Sequence, residues 1–102
     1  MNSLLDNVAV IIPSLDPDDK INSTIDSMIA AGFKHVVLVD DGSSLDHKKY
    51  FSDALSAHPE CSLLVHEVNK GKGRALRDAF EHIYDNMPWC GGVITVDGDG
   101  QH

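Results

Sequence analysis

Four short apolar runs, rich in β-branched residues, alternate along this chain with three segments of helical periodicity. That order leaves few architectures open. Val8-Ala9-Val10-Ile11-Ile12 is apolar without interruption, as a strand buried on both faces must be. Pro13 ends it. Val36 to Val39, Ser62 to Val65 and Val93 to Val96 read as the second, third and fourth strands. Between the first two, Asp16-Pro17 reads as a helix cap and first residue, with Asp18 and Asp19 in a first turn that suits carboxylates. Ile21, Ile25, Met28 and Ile29 then recur at helical spacing, and Gly32 stops the helix. A second helix carries Phe51, Ala54 and Leu55 on one face and ends before Pro59. A third shows Leu76, Ala79, Phe80, Ile83 and Met87 on one side and closes at Pro88. An alternation βαβαβαβ with apolar strands predicts a parallel sheet flanked by helices, joined by right-handed crossovers. The ligand crevice of such a sheet lies at the carboxyl ends of its strands. The polar stretches Ser14 to Asp16, Asp40 to Ser44 and Asp97 to His102 all follow strands.

A chain of 102 residues makes one small domain, residues 1–102. Its formal net charge of -8 argues against a nucleic-acid polymer as partner, since a long phosphate backbone calls for clustered Lys and Arg. A single nucleotide, its charge offset by a metal ion, is not excluded. Cys61 and Cys90 stand apart, with no Cys-x-x-Cys and no His pair at helical spacing, so they read as reduced thiols of a cytoplasmic protein. Asp6 interrupts any leader, and the longest apolar run, Val8 to Pro13, is far short of a membrane span. Asn22-Ser23-Thr24 is read as a chance glycosylation sequon. The chain stops at a strand end directly after a polar motif, so a longer parent protein is expected.

Asp97-Gly98-Asp99 is the sharpest chemical feature. In extended chain, residues two apart project to the same side, so both carboxylates can converge on one point. Two hard oxygen donors suit Mg²⁺ or Mn²⁺, with waters and phosphate oxygens completing the shell. Gln101 continues the alternation and offers a carbonyl oxygen as a third ligand. By itself the triplet is also the makeup of a polar turn. Asp40-Asp41-Gly42-Ser43 brings two acids to the same sheet edge, where a carboxylate can accept the imide or amide N–H of a nucleobase. The same residues equally suit a turn that caps the next helix. Lys70, Lys72 and Arg74 flank the expected start of the third helix, and cations at a helix N-terminus favour an anion. Asn69-Lys70-Gly71-Lys72-Gly73 is not a P-loop, for which the spacing is wrong, nor a dinucleotide fingerprint, which belongs after the first strand.

Taken in order, four stretches resemble the family 2 glycosyltransferases: Val8 to Pro13, Val37-Leu38-Val39-Asp40-Asp41-Gly42-Ser43, Asn69 to Ala75, and Val96-Asp97-Gly98-Asp99-Gly100-Gln101-His102. The last, with the glycine-rich loop, is similar to the polyprenyl-phosphate and dolichol-phosphate sugar transferase branch. The resemblance implies the N-terminal half of a GT-A fold, a Rossmann-like α/β sheet of order 3-2-1-4 with helices on both faces. It implies a donor site for a nucleotide-diphosphate sugar, UDP-sugar or GDP-sugar. Pro13, Leu15 and Asp16 would border base and ribose, and Asp41, beside Asp40, would bind the base. Lys72 and Arg74 would lie near base or diphosphate. Asp97 and Asp99 would hold a divalent metal and the sugar diphosphate, with Gln101 as a further ligand. Where the family often has Tyr-Asn-Glu after the proline, this chain has Ser14-Leu15-Asp16-Pro17. The implied reaction is inverting hexosyl transfer, the metal neutralising the departing nucleoside diphosphate. A polyprenyl phosphate acceptor, already ionised, would need no strong general base. The acceptor site is expected beyond His102, so catalysis is not expected of residues 1–102 alone.

Three other readings compete. A signalling receiver domain also has paired acids after a strand, but after its first strand, whereas a full βα unit comes first here. A sugar nucleotidyltransferase carries a basic glycine-rich loop where this chain has Ser14-Leu15-Asp16. A non-catalytic nucleotide-binding module is the third.

Overall fold

The computed structural model describes residues 5–96. Strands β1 (Val8–Ser14), β2 (His35–Asp41), β3 (Cys61–His66) and β4 (Gly92–Thr95) alternate with helices α1 (Lys20–Ala30), α2 (Lys48–Ala57) and α3 (Lys72–Asn86). All pairings are parallel and the order is β3-β2-β1-β4. The expected α/β architecture and strand order are those observed.

Alternation along the two central strands sorts the core into two layers. Val10, Ile12, Val36 and Leu38 face Ile21 and Ile25 of α1 and Phe51 and Ala54 of α2. Ala9, Ile11, Val37 and Val39 face Ala75, Ala79 and Ile83 of α3. Helices therefore cover both faces, which is why β1 and β2 show no polar alternation in sequence. Each fully buried Ile or Phe contributes about 1.5–3 kcal/mol.

The ends of the elements differ from the sequence reading for local physical reasons. α1 begins at Lys20, with Asp19 as its N-cap, rather than at Pro17. Asp16 takes a left-handed φ of 51°, and Pro17 is buried. The helix ends as expected around Gly32 (φ 108°). Gly32 N–H bonds Ile29 O and Phe33 N–H bonds Met28 O, the paired bonds of a Schellman stop. β1 runs on through Pro13 and Ser14, which pair with Val39 and Asp40. Ile11 and Pro13 turn their backbone groups toward β4, and Pro13 has no N–H to offer. The β1–β4 ladder accordingly stops at Ile11–Thr95, with Val96 N–H on Ile11 O. Asp40 and Asp41 close β2 rather than open a turn. α3 buries Ala75, Ala79 and Ile83, which leaves Phe80 half exposed and not in the core.

Candidate functional site

The carboxyl ends of β1, β2 and β3 carry three loops, and these loops are bonded to one another. Asp16 N–H donates to Ser43 Oγ (2.9 Å), and Ser44 N–H donates back to Asp16 Oδ1 (2.8 Å). His47 Nδ1 lies 2.8 Å from Pro17 O. Gly42, at φ 82°, presses against the third loop: a Cβ there would stand 2.2 Å from Asn69 N and 2.5 Å from Val68 C. Only glycine fits both the backbone angle and the approach.

Successive side chains of a strand point to opposite faces, and the acid pair divides accordingly. Asp40 turns to the α2 layer. Its carboxylate, 1% exposed, accepts Ser43 N–H (2.8 Å) and Lys48 Nζ–H (2.7 Å). Asp41 turns to the α3 layer and is 5% exposed. Its Oδ1 accepts Lys70 N–H (2.9 Å) and lies 2.9 Å from His66 Nδ1, while Oδ2 accepts Gly71 N–H (3.1 Å). A carboxylate that takes several N–H groups tolerates burial, because its charge is matched by hydrogen bonds.

Beyond His66 the network reaches α3. His66 Nε2 lies 2.7 Å from Asp78 Oδ2, and Arg74 Nε–H donates to Asp78 Oδ1 (3.2 Å). Partial burial works to raise the Asp78 carboxyl. The hydrogen bond from His66, with the charge and hydrogen bond of Arg74, outweighs it and holds the group below the ordinary carboxylate range. The sign for stability follows. A depressed carboxyl contributes stability that is complete above its unfolded value, near ~4, and is lost as pH falls through the lower folded value. Asp78→Asn should therefore flatten the acid limb of the melting temperature as pH falls below about 5. Melting curves across that range check it, and an acid limb as steep as that of the unaltered protein would count against this role. Cys61, by contrast, is pushed up to about 11 by burial and then by the charge of Glu60, so it stays a thiol at neutral pH.

A cleft of about 140 Å³ opens between these loops, lined by Pro13, Ser14, Leu15, Asp41, Asn69, Gly71 and Lys72. Of the residues that sequence reasoning singled out, Pro13, Leu15, Asp41 and Lys72 meet here. Asp16 and Arg74 stand beside it, bonded to Ser44 and Asp78, and Asp40 serves the opposite face. Asp97, Asp99 and Gln101 lie outside the described residues. Among the described residues no group of three metal-binding side chains converges. Ser14 and His66 were not singled out. Ser14 lines the cleft, but it pairs with Asp40, and its Oγ is buried on that side of the sheet with no hydrogen-bond partner. His66 carried a signal in the strand register, since Asp41 pairs with His66 directly. A Cβ at Gly71 or Gly73 would meet nothing, so the N-terminus of α3 stands open to an approaching anion between Lys72 and Arg74. A larger groove, about 1040 Å³, lies at the opposite sheet edge between α3 and the start of β4, far from these polar groups.

The sequence model of glycosyl transferase family 2 matches residues 9–102. The chain belongs to that family. Its receiver-like alternative falls with that match. Two curated relatives align with it over 95% of its length. The uncharacterized protein MJ1222 of Methanocaldococcus jannaschii is 29% identical over 97 residues, and glycosyltransferase AglJ of Haloferax volcanii is 32% identical over 98. The chain spans 37% and 29% of the length of these two proteins, about a third. Among solved structures, the mannosyltransferase PcManGT of Pyrobaculum calidifontis, in complex with GDP-Man and Mn²⁺, matches with a TM-score of 0.66 at 24% identity. That match covers 74% of this chain and 24% of the other. At that identity the likeness establishes the shared GT-A fold. No described helix is long and apolar enough to cross a membrane.

Proposed function

We propose that this chain forms the donor half of an inverting glycosyltransferase, with the nucleoside of a UDP-sugar or GDP-sugar in the cleft between the β1 and glycine-rich loops. The observation that carries this reading is Asp41, a buried carboxylate that lines the cleft while the backbone of the glycine-rich loop fixes it. An ionised carboxylate only accepts, so it pairs with the N–H of a uracil or guanine ring. Pro13 and Leu15 give the base an apolar wall. Asp16 holds the β1 loop in place through Ser43 and Ser44. Lys72, with Arg74 two residues on, offers positive charge to the diphosphate at a helix N-terminus.

PcManGT carries GDP-Man with Mn²⁺ on this fold, and AglJ is named a glycosyltransferase. Both support sugar transfer, and PcManGT alone supports a divalent ion. In this chain the donor set for Mg²⁺ or Mn²⁺ would be Asp97, Asp99 and Gln101, all oxygen ligands of the kind these ions take. Bound there, the ion would offset the charge of the diphosphate leaving group. β4 brings the chain to the edge that carries the cleft, since Val96 bonds Ile11 two residues before Pro13. The acceptor in this reading is a polyprenyl phosphate, presented at the cytoplasmic side. The remainder of a longer polypeptide would bind it.

The experiment is titration of the full-length protein with UDP- and GDP-sugars by calorimetry, with Mn²⁺ and then with excess chelator. Binding of one of the two donors, lost in chelator, is expected. Asp99→Asn should bind the donor equally weakly with and without Mn²⁺, while its melting temperature stays that of the unaltered protein. Equal donor affinity in chelator, or full activity in Asp99→Asn, would refute the metal assignment.

A further inference from the structure

Among the described residues, His66 is the histidine with a carboxylate oxygen within hydrogen-bond distance of each ring nitrogen. It belongs to none of the four sequence stretches that carry the family resemblance, and it does not line the cleft. Its side chain is 8% exposed, at the end of β3. We propose that His66 is the positioning residue of the cleft: it occupies Asp41 Oδ1, so that Oδ2 alone is left to accept an N–H from the nucleobase. This rests on the nucleotide reading of the cleft given above.

A carboxylate offers about four lone-pair sites. Oδ1 of Asp41 fills two of them, with Lys70 N–H and with His66 Nδ1. Oδ2 fills one, with Gly71 N–H. One acceptor site remains, on Oδ2, in a residue that lines the cleft. The terminal torsion of Asp is broad and roughly two-fold, so the carboxylate does not hold such an orientation by itself. Lys70 and Gly71 belong to a loop and fix it only while that loop stays put. His66 comes from a strand of the sheet and fixes it from the other side, with its far nitrogen on Asp78 of α3. The consequence is specificity. A rigid, acceptor-only oxygen favours bases that present a ring N–H, uracil and guanine, over cytosine and adenine, which present a ring lone pair at the matching position. A carboxylate free to swing discriminates less.

Two substitutions separate the two ends of the imidazole. The amide nitrogen of Asn stands where His Nδ1 does, and that of Gln stands near Nε2. His66→Asn thus keeps a donor for Asp41, and His66→Gln keeps one only for Asp78. The probes are UDP with CDP and GDP with ADP, titrated with Mn²⁺ into the full-length protein, and the amide resonances of Lys70 and Gly71 are followed by NMR. His66→Gln should weaken the better of UDP and GDP by at least about 10-fold. It should also shrink its margin over CDP or ADP and shift both amides. His66→Asn should stay within about 3-fold of the unaltered protein, with both amides in place. A His66→Gln protein that keeps affinity, margin and amide positions overturns the proposal. So does a folded His66→Asn protein whose affinity falls by about 10-fold or more, which decides the matter even where His66→Gln does not fold. If the unaltered protein binds none of the four nucleotides, the nucleotide reading fails. The amide resonances alone then decide whether His66 positions Asp41.

Discussion

Replacing Gly42 with alanine is expected to lower the melting temperature by more than about 10 °C. Two costs add at this position. Its φ of 82° charges any L-residue about 1–2 kcal/mol. The new methyl would also stand 2.2 Å from Asn69 N, 2.5 Å from Val68 C and 2.8 Å from Asn69 Cα. All three are backbone atoms, so no side chain can swing aside, and the 68–69 segment itself must move. Overpacking of that kind costs about 1–3 kcal/mol. A move of that segment also pulls Lys70 and Gly71 off Asp41, so the loss spreads into the cleft. Neighbouring glycines provide the scale. Gly71 shares a positive φ, 91°, but has open space around it, so Gly71→Ala should cost only the backbone term. Gly73 lies in the first turn of α3 with open space, and Gly73→Ala should be neutral or stabilising by about 0.5–1 kcal/mol. Thermal melts of the three variants check the order. A Gly42→Ala protein that melts within about 2 °C of the unaltered one would show that the 68–69 segment yields without cost.

Why the sheet was legible in the sequence and parts of the cleft were not is a matter of where each is specified. Ala9 to Ile12 and Val36 to Val39 are buried from both sides, so their apolar character is continuous and unambiguous. Gly32 stops α1 because the positive φ that the stop requires is a local demand, which the residue type announces. The start of α1 is different. Asp16-Pro17 is a sound local cap, yet Asp16 is recruited by Ser43 and Ser44, 27 and 28 residues away, and the helix starts at Lys20 instead. Phe80 has the helical spacing of a core residue, but small residues at 75 and 79 bring α3 close to the sheet and turn that stripe away from it. The acid pair shows both sides of the problem. That Asp40 and Asp41 reach the sheet edge follows from the strand before them. That they part to opposite faces follows from the same period of two. That His66 completes the Asp41 site needs the β2–β3 register, which a single sequence does not print. The residues 97–102, where the metal ligands are assigned, carry their message in sequence alone.

Asp41→Ala should be among the most costly substitutions in this chain, and Asp41→Asn should tell stability apart from recognition. Alanine removes the acceptor of Lys70 N–H and the partner of His66 Nδ1. Gly71 N–H keeps Asn69 Oδ1, 2.9 Å away. Each buried donor left unsatisfied costs about 1–3 kcal/mol, so the two together are a large share of a total that is typically about 5–15. Asparagine keeps the shape and one oxygen. That oxygen belongs on the Oδ1 side, where two donors converge, which places the NH₂ group on the Oδ2 side. There it faces Gly71 N–H and the cleft, as a donor where an acceptor stood. The fold should survive with a loss of about 1–3 kcal/mol. Nucleotide affinity should fall further than the fold does, because a hydrogen bond to a charged group is worth about 1.5–3 kcal/mol, or roughly 10- to 100-fold in Kd. A base that offers N–H to that position would then meet another N–H. Calorimetry of the full-length protein with the donor it binds, beside a thermal melt, gives both numbers. If Asp41→Asn binds that nucleotide as tightly as the unaltered protein, Asp41 serves only to hold the glycine-rich loop, and the base must be read elsewhere in the cleft.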